Sequence, residues 1–130
     1  MKKIYLILFI LFVQNAFSQN TTGEIVVEEE PVYRADQVDV KAEFPGGMSK
    51  FYEYLIKNFK RPEKRVPGKV FLSFVVESDG SIKKVRIVKN EVDAEFGNEA
   101  IRVLKMSPKW IPAEKDGKKV RSLFSIPINS

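Results

Sequence analysis

The 130-residue sequence contains no cysteine and no histidine. Without cysteine there can be no disulfide staple, no thiolate metal site and no cysteine nucleophile. Without histidine the commonest general base, the usual proton shuttle and the favoured zinc ligand are missing, so a Ser-His-Asp triad cannot be assembled. Long hydrophobic runs are also lacking. The longest, Ile4 to Val13, is ten residues, about half of the ~20 needed to cross a bilayer. An enzyme would have to work with carboxylates such as Asp79, Asp93 and Glu95. Two of these stand where a turn wants Asp for backbone reasons, and no pair converges in sequence. No catalytic residue, metal site or cofactor is therefore expected, and the chain reads as a binding module.

What is present fits one globular domain. The chain is 44% hydrophobic and 30% charged, at a length that suits one core. Lys2 and Lys3, the apolar run and Ala16-Phe17-Ser18 have the three parts of a secretory signal, with Gln19 as the expected new N-terminus. The alternative is a short uncleaved anchor. From residue 19 to 45 there are seven acids against two bases; from 46 to 130 there are 18 bases against ten acids. An acidic lead-in thus precedes a basic body of net +8. An exported protein seldom meets nucleic acid, so acidic protein segments or membrane phosphates are the partners such a surface suggests.

Along the chain, residues 19–42 read as a flexible acidic lead-in with a β-prone island at Ile25-Val26-Val27. The domain is expected to span residues 43–130. After Pro45-Gly46-Gly47, the residues Met48, Phe51, Tyr52, Leu55, Ile56 and Phe59 follow helical spacing and are expected to be core, with Pro62 beyond the helix end. Val70 to Val76, a turn at Ser78-Asp79-Gly80 and Ile82 to Val88 form a hairpin pattern. Both faces of its first strand are apolar, which predicts a central position. Asp93 to Asn98 reads as a turn-rich approach, and Asn98 as the N-cap of a helix from Glu99 to about Met106. Asp116-Gly117 turns the chain into a last strand, Val120 to Ile128, which Pro127 assigns to a sheet edge. The expected fold class is α+β, in the order α-β-β-α-β, with two helices packed on a three-stranded antiparallel sheet.

Four stretches then resemble the C-terminal domain of TonB, the energy transducer of Gram-negative envelopes. They are Glu43 to Met48 with its aromatic helix, Gly68 to Ile82, Glu99 to Leu104 leading into Ser107-Pro108-Lys109-Trp110-Ile111-Pro112-Ala113, and Gly117 to Arg121 running into Ser125-Ile126-Pro127-Ile128. The resemblance spans roughly residues 40–130. It implies a periplasmic, non-enzymatic domain that binds a short extended peptide, the TonB box, at the N-terminus of outer-membrane transporters. That peptide would pair with the last strand by β-augmentation, which places the peptide site at Arg121, Ser122, Leu123, Phe124, Ser125 and Ile126. Trp110 and Pro108 match the family's corner and are expected to be structural. An envelope adaptor that self-associates through the same edge, as a homodimer, is the alternative. If the N-terminus is not cleaved, the domain would be anchored to the inner membrane on its periplasmic side.

A full transducer also has a membrane helix bearing a His that meets an inner-membrane motor, and a long Pro-rich spacer. This chain has no His, ten contiguous apolar residues, and Pro31 alone between Gln19 and Phe44. These departures speak against contact with inner-membrane motor proteins. Gly23 to Glu28 itself resembles a TonB box, which raises the expectation that the lead-in can dock on the basic domain's edge.

Overall fold

The structure is a computed structural model and describes residues 30–130. The expected signal segment and the Ile25–Val27 island lie outside the described residues. The compact unit runs from Pro31 to Ser130, so it begins twelve residues before the boundary expected at residue 43.

Eight elements follow in order: β1 (Val32–Tyr33), a 3-10 turn (Ala35–Gln37), α1 (Met48–Asn58), β2 (Lys69–Val76), β3 (Ile82–Asn90), α2 (Ala94–Lys105), β4 (Ala113–Lys115) and β5 (Lys118–Asn129). The sheet order is β1-β5-β2-β3, with β4 hairpinned onto β5. The α-β-β-α-β frame and its α+β class are as the sequence predicts. The sheet has five strands among the described residues rather than three, and it is mixed rather than purely antiparallel, because β1 runs parallel to β5.

β2 is the central strand. Val70, Leu72, Phe74 and Val76 on its helix-facing side are fully buried, and Ser73 and Val75 on the opposite side are nearly so. That two-sided burial is what its unbroken apolar run requires. β3 lies at the edge and is interrupted by two register shifts against β2, one of them beside Lys84, whose φ is +55°. Bulges with exposed lysines blunt such an edge against strand pairing.

The helices cover one face of the sheet. Phe51 and Leu55 of α1 and Phe96, Ala100, Val103 and Leu104 of α2 join the sheet's inner residues in one core. Only two of the six residues expected as core on α1 are buried. Met48, Tyr52 and Ile56 are 39%, 44% and 77% exposed, and Phe59 is half-buried. The helical stripe is wider than the surface it packs on. α2 begins at Ala94, not Glu99, because the Asp93 carboxylate accepts the Phe96 amide at 2.9 Å and caps the helix. Gly97 sits inside that helix, where a Cβ would stand 2.7 Å from Asn90 Nδ2 and 2.9 Å from Ile87 Cδ1. Close approach of α2 to β3 therefore leaves a larger residue room only if these two side-chain tips move.

Trp110 holds the centre. It is 2% exposed, its ring lies 4.9–5.5 Å from those of Phe44, Phe51, Phe74 and Phe124, and its indole N–H donates to Ser107 Oγ at 3.2 Å. The expected structural role of this corner agrees with that burial. Its amide donates to the Gly80 carbonyl, which stitches the corner to the β2–β3 turn.

The second half of the expected flexible lead-in is ordered. Val32 and Tyr33 pair with β5, the Asp39 and Val40 amides donate to the Glu114 carbonyl at 2.8 and 3.1 Å, and Ala42 and Phe44 are buried. A two-residue strand and single bridges carry no periodicity that a sequence pattern could display.

Candidate functional site

β5 is twelve residues long and its two ends are treated differently. Lys118 to Lys115 closes a hairpin through Asp116 and Gly117, both at positive φ, the backbone an Asp-Gly turn supplies. Ser122 is paired on both sides, with Val76 of β2 and Tyr33 of β1. From Leu123 to Asn129 the antiparallel ladder with β2 continues, while no described strand pairs on the other flank.

The direction of each backbone group follows from register. The Ser130 amide donates to the Gly68 carbonyl at 3.0 Å, so that pair faces inward. Alternation in an antiparallel ladder then turns Ile128, Ile126, Phe124 and Ser122 towards β2, and Leu123, Ser125, Pro127 and Asn129 outwards. Pro127, which has no N–H to give the ladder, falls on the outward set, as it must. With Tyr33 level with Ser122 in a parallel pair, β1 reaches as far as the Leu123 amide. The open flank therefore begins with the Leu123 carbonyl. Ser125 offers both an N–H and a C=O, and Pro127 a C=O alone.

The six residues expected to bind a peptide separate accordingly. The Arg121 guanidinium grips Glu77 through Nε at 2.8 Å and Nη2 at 3.2 Å, with both side chains mostly buried, and its backbone is paired with Val32. Ser122 is 2% exposed. Phe124 stacks on Phe74 at 5.5 Å, and Ile126 is 3% exposed within the core. Leu123 and Ser125 are exposed, with side chains on the sheet face away from the helices. Sequence reasoning found the strand but missed β1, which already occupies the edge at Arg121 and Ser122. Val32-Tyr33, a β-prone pair following Pro31, was the available signal.

β1 is held from its flanks. The Lys115 ammonium lies 5.6 Å from the centre of the Tyr33 ring, and the Asp116 amide donates to the Asp39 carboxylate at 2.8 Å. Beyond the edge, the carboxylates singled out in the sequence do structural work. Asp79 accepts from both the Ser81 hydroxyl and the Ser81 amide, and these bonds lower its pKa. Asp93 caps α2. Among the described residues no group of acids could hold a metal ion, and no helix is long and apolar enough to cross a membrane.

The family described as the Gram-negative bacterial TonB protein C-terminal matches residues 62–129. Two solution structures of pieces of the Helicobacter pylori TonB-CTD match part of the chain. One is 21% identical with a TM-score of 0.48, over 64% of this chain and 90% of that one. The other is 18% identical with a TM-score of 0.43, over 64% and 79%. No curated protein matches the chain.

Proposed function

Because the chain belongs to the Gram-negative TonB C-terminal family, whose members serve energy-coupled transport across the outer membrane, we propose that it is a periplasmic adaptor for outer-membrane transporters. In this reading an extended N-terminal segment of a transporter adds itself as a strand to the outward flank of β5. Main-chain hydrogen bonds supply attraction, and alternate side chains supply selection. The single observation that carries the reading is the flank from the Leu123 carbonyl onwards, which no strand among the described residues pairs. Arg121 and Ser122 do not belong to the guest's footprint, since β1 lies on them. Their role is to set where the footprint starts.

The Glu77–Arg121 pair supports that role. Two ends of the sheet, the exit of β2 and the entry of β5, are locked by a bidentate contact that is largely shielded from water. A rigid edge costs less ordering on binding than a loose one. The direct test is titration of the full chain with synthetic peptides from transporter N-termini. Saturable binding with an affinity in the micromolar range is expected. No binding at high micromolar peptide refutes the proposal, and a concentration-dependent dimer that peptides fail to dissociate points to self-association instead.

A further inference from the structure

The open flank lacks a donor at Pro127, and a cavity begins there. It has a volume of about 320 Å³ and lies between α1 and the end of β5, lined by Tyr52, Ile56, Phe59, Phe96, Pro127 and Ile128. Its α1 wall is part of the exposed stripe Met48–Tyr52–Ile56, three large apolar side chains at i, i+4 and i+8 that the chain's own core does not use. A helix stripe reaching past the last strand of its sheet is half of a second layer: a strand added to that sheet would lie over it.

Charge is one-sided at the same place. Arg61 and Lys69 border the cavity. Neither side chain has a carboxylate within ion-pair distance among the described residues, whereas six other cations do, although the Lys69 amide donates to the Glu91 carboxylate at 3.2 Å. Between Lys57 and Lys69 there are six bases and one acid.

We propose that this cavity is the side-chain pocket of the guest strand: it takes one large apolar side chain from the guest residue level with Ile128, which faces the helices as Ile128 does, and Arg61 and Lys69 favour a carboxylate beside that residue. The pocket replaces the main-chain bond that Pro127 cannot give. The guest is thereby specified as an acidic, alternately apolar segment, which excludes a basic one of equal β-propensity. This specificity rests on the strand-addition reading above, and the experiment separates the two.

The probe is a labelled nonapeptide, Glu-Leu-Ser-Val-Ser-Val-Ser-Leu-Glu, which reads the same in both directions and so is indifferent to strand polarity. Affinity for the full chain is measured by fluorescence anisotropy against two altered peptides, one with both Leu replaced by Ser and one with both Glu replaced by Lys. Each change is expected to weaken binding about tenfold or more. On the protein side, Ile56→Glu perturbs a residue 77% exposed and leaves folding intact. It is expected to weaken the parent peptide while having little effect on the Ser-substituted one. Arg61→Glu is expected to lower affinity for the Glu peptide and raise it for the Lys peptide. Equal affinity for all three peptides, with Ile56→Glu silent, overturns the pocket. If Ser125→Pro abolishes binding in that case, strand addition survives and the pocket alone fails. If Ser125→Pro is silent too, both fail. Release of the protein from phosphatidylglycerol vesicles by Arg61→Glu, without change in peptide affinity, assigns the cations to a lipid surface and refutes the carboxylate preference.

Discussion

Two proline substitutions, one residue apart, should have opposite consequences. Ser125 directs its amide away from β2, so Ser125→Pro removes no ladder bond, and Pro127 two residues on shows that this flank accepts proline. Its side chain is exposed. Folding stability should therefore change by less than about 1 kcal/mol. A guest strand, by contrast, would lose its partner for one carbonyl, leaving it unsatisfied at a cost of about 1–3 kcal/mol. That corresponds to a loss of roughly tenfold to a hundredfold in affinity. Phe124→Pro should do the reverse. It removes an amide that faces β2 together with a ring 5.5 Å from Phe74 and 4.9 Å from Trp110. Loss of the half-buried ring alone costs about 2–3 kcal/mol. A proline inside the ladder adds to this, and the sum threatens a domain whose total stability is about 5–15 kcal/mol. Urea denaturation followed by circular dichroism, with peptide titration on whatever remains folded, distinguishes the cases. An unfolded Ser125→Pro variant, or one that binds peptide normally, refutes the assignment of inward and outward groups on β5.

Three further outcomes follow from the packing. Glu99 accepts two bonds from Arg102, at 2.8 and 2.6 Å, and the Lys60 amide at 2.7 Å; the Arg102 bond foremost holds its pKa below the ordinary glutamate value. Its contribution, about 1–2 kcal/mol, should be complete above that value and disappear as pH falls through the lowered folded one. Glu99→Gln should thus be less stable at neutral pH and match the parent in strong acid, as read by urea denaturation; an undiminished gap in acid contradicts this. Gly80 has φ +91°, and a Cβ there collides with the Trp110 carbonyl oxygen, so Gly80→Ala should cost about 2–4 kcal/mol; a thermal midpoint equal to the parent's would show that the corner can shift freely. Asp93→Ala should cost about 1 kcal/mol by removing the cap of α2, and an unchanged denaturation midpoint would return the helix start to Asn98.

The elements with a strong period were legible in the residues, and those fixed by contact were not. The β2–β3 hairpin, α1 and the position of β2 follow from alternation, spacing and an Asp-Gly turn. α2 was shortened because Gly97 and Asn98 look like turn formers. Gly97 packs close to the Ile87 and Asn90 side chains, a tertiary contact that local propensity cannot express. β1 escaped because two residues make no pattern, although it fixes where the open edge starts. For the site, the strand was readable but its internal division was not. Which of Arg121 to Ile126 face a guest depends on ladder register, and that is set across the sheet by β2 rather than within β5. The exposure of Tyr52 and Ile56 belongs to the same class: helical spacing says which residues share a face, not whether anything covers it.

The central claim is a Ser125 main chain that no described strand pairs on its outward side, and amide hydrogen exchange reads it residue by residue. In the free protein the Ser125 amide should exchange fast while those of Phe124 and Ile126 exchange slowly; adding a transporter N-terminal peptide should slow Ser125 and leave its two neighbours as they were. A Ser125 amide already protected in the free protein, or one indifferent to saturating peptide, would contradict the account.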